Sequence, residues 1–199
     1  MRIYDHATGK SYFQKRRKRY ELEGDARDFT FSCYHRYQFL SRDRTREWFI
    51  EALASARSKY PLDLWAYVIM PEHVHLLLYP REPGLKMGPI VGEIKEEVGR
   101  KAVRYLKKHA PKWLDRITVR EGKRMRHRFW QPGGGFDRNA CEIETIHHMI
   151  DYIHANPVPR GLVQRAEDWY WSSAGWYVGK RPAPIEIDRT IPMYHYTVD

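Results

Sequence analysis

The stretch Tyr67-Val68-Ile69-Met70-Pro71-Glu72-His73-Val74-His75-Leu76-Leu77-Leu78 decides how the rest of the chain is read. Two apolar, β-rich runs, residues 64–70 and 73–79, are separated only by Pro71 and Glu72. A linker that short predicts an antiparallel hairpin. Side chains two apart on a strand share a face, so His73 and His75 point one way and Val74 points into the opposite layer.

Working outward, the pattern upstream from residue 28 is a strand, with Phe29, Phe31, Cys33 and His35 on one side and Thr30, Ser32, Tyr34 and Arg36 on the other. Between it and the hairpin, Trp48, Phe49, Ala52, Leu53, Ala56 and Tyr60 recur at helical spacing, with Asp43 as N-cap and Pro61 as the stop. After the hairpin, residues 87–109 carry Met87, Ile90, Val91, Ile94, Val98 and Ala102 on one helical face and a row of Lys and Arg on the other. Two short strand-like stretches follow between residues 117 and 136, and Pro132-Gly133-Gly134-Gly135 makes a loop. A third helix spans residues 142–156, with Ile143, Ile146, Met149, Ile150 and Ile153 as its core stripe, and stops before Pro157.

The order strand, helix, strand, strand, helix, strand, helix predicts an α+β fold of the ferredoxin-like split βαβ type: a mainly antiparallel sheet with helices packed on one face. The expected organisation is a mobile basic arm over residues 1–24, a single domain over 25–180, and a tail over 181–199. The aromatic-rich segment 169–176 is expected to pack back on the body.

The chain has 199 residues, 42% of them hydrophobic and 14% aromatic, enough for one packed core and too much burial potential for a disordered chain. Its longest apolar run, residues 64–70, is far below the roughly 18 residues a membrane-spanning helix needs, and residues 1–24 lack an apolar signal core. The expectation is a cytoplasmic protein with no membrane partner. Cys33 and Cys141 form no Cys-x-x-Cys pair, so neither a disulfide framework nor a thiolate zinc site has a basis, and both are expected as buried thiols. Thirty-five Lys and Arg against 25 Asp and Glu give a net charge of +10, which favours polyanionic partners. The cations cluster at Lys15, Arg16, Arg17, Lys18 and Arg19, and again at Arg124, Arg126 and Arg128. Interleaved with aromatics such as Tyr12, Phe13 and Tyr20, the first cluster reads as a nucleic-acid contact, and Trp130 and Phe136 as base-stacking surfaces.

Two imidazoles on one face can hold a divalent metal but supply only two ligands. On the third helix Tyr152 and Asn156 lie four apart, hence on one face, about a third of a turn from the isoleucine stripe. That places Tyr152 at a cleft edge. A phenol attacks phosphorus only where a partner takes its proton or a metal polarises the phosphate, because in water it ionises near pH ~10. The Asn156 carboxamide oxygen offers a third ligand. His148, one turn before Tyr152, reads as an exposed helix histidine, and His35 as a packing residue.

The hairpin stretch, together with Tyr152-Ile153-His154-Ala155-Asn156-Pro157-Val158-Pro159-Arg160-Gly161-Leu162-Val163 downstream, resembles the REP-associated branch of the single-tyrosine, HUH-type transposases. The resemblance extends over residues 28–177, including Phe129-Trp130-Gln131, Phe136-Asp137-Arg138-Asn139 and residues 167–173. It implies a metal-dependent endonuclease and strand transferase acting on single-stranded DNA at hairpin-forming repetitive elements through a 5′-phosphotyrosine intermediate. By the same resemblance Tyr152 is the nucleophile, His73, His75 and Asn156 hold Mg or Mn, and the working species is a monomer or a homodimer. The Pro-Gly-Gly-Gly loop and Pro159 stand where relatives carry charged or bulky residues, which touches DNA sequence preference and not the metal or nucleophile positions. The alternative is a non-catalytic hairpin-binding protein or repressor on the same fold.

Overall fold

The computed structural model describes residues 2–5, 9–13 and 24–193. The main sheet has four strands, β3 (Ala26–Ser32), β4 (Leu62–Ile69), β5 (His73–Pro80) and β8 (Phe136–Ala140), in the order β4-β5-β3-β8, every pair antiparallel. With α1 (Asp43–Lys59) joining β3 to β4 and α2 (Met87–His109) following β5, this is the expected split βαβ plan. The β4–β5 turn is held from outside: Leu40 N–H donates to Pro71 O and Cys33 N–H to Glu72 O, both at 2.8 Å. The segment after β3 thus fixes where His73 begins its strand.

The helices divide between the two faces of the sheet, unlike the one-faced packing expected from sequence. Phe49, Ala52, Leu53 and Ala56 of α1 and the Met87-to-Ala102 stripe of α2 pack on Phe29, Phe31, Leu64, Tyr67, Ile69, Val74, Leu76 and Leu78. The third long helix, α4 (Ile143–Ala155), covers the other face, setting Ile146, Met149, Ile150 and Ile153 against Trp65, Ala66, Val68, Met70 and Leu77. Alternation along β4 supplies apolar side chains to both layers, and a bulge between Leu64 and Ala66 puts Trp65 and Ala66 together on the α4 side. Because β4 and β5 are apolar on both faces, each face demands its own helical cover. Ile143, assigned to the stripe, is exposed in the first turn of α4.

A second sheet, β2-β1-β6-β7, is formed by β1 (Arg2–Asp5), β2 (Lys10–Phe13), β6 (Thr118–Glu121) and β7 (Arg124–His127), with the short α3 (Lys112–Ile117) leading into β6. Part of the expected mobile arm is therefore strand: β1 pairs with β6 through Ile3↔Glu121 and Asp5↔Val119. The residues 181–193 are also no loose tail. Ile185 and Ile187 are buried, the Asp188 carboxylate accepts from Arg57 at 2.6 Å and from Leu64 N–H at 2.8 Å, and Thr190 accepts from Trp65 Nε1. The aromatic segment does pack back, closing the β4 edge: Ile69 N–H donates to Trp171 O and Ser173 N–H to Tyr67 O. Beyond it lies α5 (Ala174–Tyr177). No helix among the described residues is long and apolar enough to cross a membrane. Cys33 is buried as expected, but Cys141 is exposed.

Candidate metal and nucleophile site

The site lies between β5 and α4. With Val74, Leu76 and Leu78 in the α1/α2 layer, alternation turns His73 and His75 toward α4. Their rings stand 4.9 Å apart, both buried. Each is held by Nδ1: Glu72 Oε1 lies 3.0 Å from His73 Nδ1, and Thr30 Oγ1 lies 2.8 Å from His75 Nδ1. Neither Nε2 has a hydrogen-bond partner among the described residues.

These contacts set protonation as well as orientation. Burial holds the Glu72 carboxyl up, but Arg160 and His73 outweigh it and leave it below the usual carboxylate range. An ionised carboxylate only accepts, so His73 Nδ1 carries the proton and Nε2 keeps its lone pair. Burial lowers the His73 pKa against the pull of Glu72, and burial with the neighbouring His73 brings His75 down to about 3. Both imidazoles are neutral at pH 7, the form a metal ion requires. A carboxylate behind a ligating histidine is also the usual outer support of such a ligand.

Tyr152 is 60% exposed, and its ring stands edge-on to His75, 5.7 Å between centroids and 86° between planes. One turn on, Asn156 caps α4: its Nδ2 donates to Tyr152 O at 2.7 Å and more weakly to Ile153 O at 3.5 Å. Carbonyls only accept, which fixes the amide orientation and leaves Oδ1 without a hydrogen-bond partner among the described residues. Two neutral imidazoles with unengaged Nε2 lone pairs suit a divalent ion, and the Asn156 amide oxygen is the third donor that the sequence offers. No three His, Cys, Asp or Glu side chains converge among the described residues. His148 is exposed, and His35 sits past the end of β3, exposed, against Tyr34 and Tyr37 rather than beside the pair.

Several neighbours were not read from sequence. Glu72 is buried and binds Arg160 at 2.9 Å and Arg36 at 3.5 Å, tying the turn after α4 and the segment after β3 to the base of the histidine pair. Glu72 adjoins His73, and Arg160 lies in the second quoted stretch, so adjacency in the motifs was the available signal. Thr30 had none, since its partnership follows from the Thr30↔His75 register. Asp28, on the same face of β3 as Thr30, is buried and pushed up to about 6 by burial, with Arg138 opposing.

The expected DNA contacts divide. Lys15, Arg16, Arg17, Lys18 and Arg19 lie outside the described residues. Arg124 is exposed with no ion pair among the described residues, whereas Arg126 and Arg128 both pair with the buried Glu121 and are partly neutralised. Trp130 is core, packed on Phe31 and Phe49 with its Nε1 donating to Lys95 O, so its surface is unavailable for stacking; Phe136 is 46% exposed.

The chain is 27% identical over 157 residues to a Haemophilus influenzae protein named as a REP-associated tyrosine transposase, a match spanning 74% of this chain and 82% of that one. It is 24% identical over 169 residues to the REP-associated tyrosine transposase of Escherichia coli K12, covering 85% and 88% of the two. The chain resembles the REP-associated tyrosine transposases. Among solved structures, a REP-associated tyrosine transposase bound to a REP hairpin shares the fold, with a TM-score of 0.64 at 21% identity over 90% of this chain and 94% of that one. No family model matches the chain.

Proposed function

We propose that this protein is a single-strand DNA endonuclease and strand transferase acting at hairpin-forming DNA. The observation that carries the reading is the placement of the exposed Tyr152 ring edge-on to His75, beside two neutral imidazoles whose Nε2 atoms are unengaged. The similarity to REP-associated tyrosine transposases, and the REP hairpin bound by the structural neighbour, support DNA as substrate.

His73, His75 and the Asn156 Oδ1 would hold Mg or Mn, which when bound polarises the scissile phosphate and stabilises charge on its oxygens. The chain's own residues do the rest. The phenol oxygen of Tyr152 attacks phosphorus as the P–O bond to the 3′ oxygen breaks, leaving a 5′-phosphotyrosine and a 3′-hydroxyl that takes up the proton. Asn156 and the α4 backbone hold Tyr152 in place, and an exposed phenol on a helix meets a phosphate of an unpaired strand more readily than one inside a duplex. The reverse attack by a 3′-hydroxyl on the phosphotyrosine rejoins strands and releases the phenol. The free cations of the surface hold the phosphate backbone.

Incubating the protein with end-labelled single-stranded hairpins from its own genome, in Mn and in excess chelator, tests this. The expected result is cleavage in Mn that leaves 3′-hydroxyl ends and is absent in chelator. Binding without cleavage in either condition would favour the non-catalytic hairpin-binding alternative.

A further inference from the structure

A second candidate site lies on the α1/α2 side of the molecule, away from the histidine pair. A cavity of about 490 Å³ opens between the segment after β3, the start of α1, the second half of α2 and α3. One wall is Tyr37, Phe39 and Trp113, whose rings meet one another at 5.4–5.7 Å; the other is Trp48 and Tyr105 at 6.0 Å. All five are half-buried and line the cavity, with His109 stacked on Tyr105 at 4.4 Å and Phe129 stacked on Phe39 at 5.1 Å. Its charged lining residues are the exposed Arg42 and Arg44, and no acid lines it. Arg44 lies over Tyr105 at 3.9 Å, and just outside, Arg116 lies over Trp113 at 4.7 Å. Among the described residues none of these arginines is in an ion pair, nor are Arg104, Lys107, Lys108 and Lys112 on the adjoining surface.

The chemistry selects the occupant. A cationic ligand in an aromatic cage would be repelled by this cationic rim. An apolar peptide gains nothing from seven uncompensated positive charges. A flat ring carrying a phosphate on either side uses both features, stacking between the walls while its backbone meets the arginines. We propose that this cavity receives an unpaired nucleobase of the DNA strand, deepening, and resting on, the reading that the protein acts on single-stranded DNA. The cavity joins the catalytic face through one segment: Tyr37 follows Arg36, whose guanidinium reaches Glu72, and Leu40 N–H donates to Pro71 O beside it.

The test measures binding of two labelled probes, a thymidine oligonucleotide about a dozen residues long and the same sugar-phosphate chain without bases. Wild type should prefer the base-bearing strand, and Trp113→Ala should weaken that binding roughly 5- to 100-fold while leaving the base-free chain unaffected. Trp113→Phe, which keeps a stacking face, should recover most of the loss. Tyr105→Ala, on the other wall, repeats the measurement should thermal unfolding show Trp113→Ala to be misfolded. Folded variants that bind the thymidine strand like wild type, or equal affinity of wild type for both probes, would overturn the inference and leave the endonuclease reading standing. Failure of wild type to bind either probe would overturn both.

Discussion

Thr30 on the central strand β3 holds His75 of β5 through a 2.8 Å contact between Oγ1 and Nδ1. One imidazole of the candidate metal pair is thereby oriented by the neighbouring strand, and the other, His73, by the carboxylate of the preceding residue. Replacing Thr30 by Val keeps the shape and removes the oxygen. Affinity for Mn, measured by calorimetry, is expected to fall about 10- to 100-fold with the fold intact, the usual cost of losing an outer support of a ligand. Unchanged affinity would mean that Thr30 does not orient the ring.

Glu72 does two jobs, fixing the His73 tautomer and gathering Arg160 and Arg36. Glu72→Gln keeps the size but loses the charge that Arg160 and His73 stabilise against burial. Metal affinity should fall as for Thr30→Val. In addition, hydrogen exchange in the turn after α4 should accelerate, because Arg160 is released; Arg160→Ala should reproduce the faster exchange with a smaller loss of metal affinity.

Gly135 carries a positive φ of 73°, and a Cβ there would lie 2.1 Å from Thr30 O. The Pro-Gly-Gly-Gly loop thus lets the chain approach β3 at the residue that holds His75. Gly135→Ala is expected to be destabilising by more than 1 kcal/mol in a urea titration, through steric displacement and left-handed backbone strain together. The nearby Gly133→Ala, which meets no atom within 4 Å, should cost less.

His154 is buried on the core side of α4, its Nε2 2.8 Å from Ser173 Oγ, and burial lowers it to about 4. The folded form resists a proton that the unfolded chain accepts near 6.5, so this group's stabilisation is full above pH 6.5 and is lost as pH falls toward 4. The raised Asp28 acts with the opposite sign in an overlapping window, being protonated below about 6 when folded. The difference between wild type and His154→Gln isolates the histidine. Between pH 7 and pH 4, wild type should lose on the order of 3 kcal/mol more than the variant. Parallel pH profiles would contradict it.

The hairpin, the three amphipathic helices and the order of main-sheet elements along the chain were legible because each follows from local periodicity and a two-residue linker. The face of the sheet that α4 covers was not, since nothing in the spacing of Ile146, Met149, Ile150 and Ile153 says which side of a doubly apolar sheet they meet. Trp130 was misread for a related reason: an aromatic between Phe129 and Gln131, two residues after Arg128, looks exposed until β3 and α1 are seen to enclose it. The pair His73 and His75 and the outward position of Tyr152 follow from periods of two and 3.6 residues. Their outer partners, Thr30 and Arg160, depend on strand register and chain reversal, which sequence spacing does not encode.

The claim that Tyr152 is the nucleophile is tested most directly by trapping. Wild type and Tyr152→Phe are incubated with a 5′- and 3′-labelled single-stranded hairpin in Mn, denatured, and run on a gel that separates free protein from protein joined to DNA. The account predicts a band carrying only the downstream label for wild type, with the DNA attached to the Tyr152 peptide by mass spectrometry, and no such band for Tyr152→Phe although hairpin binding persists. A covalent band of equal intensity from the Phe variant, or attachment at another residue, would contradict it.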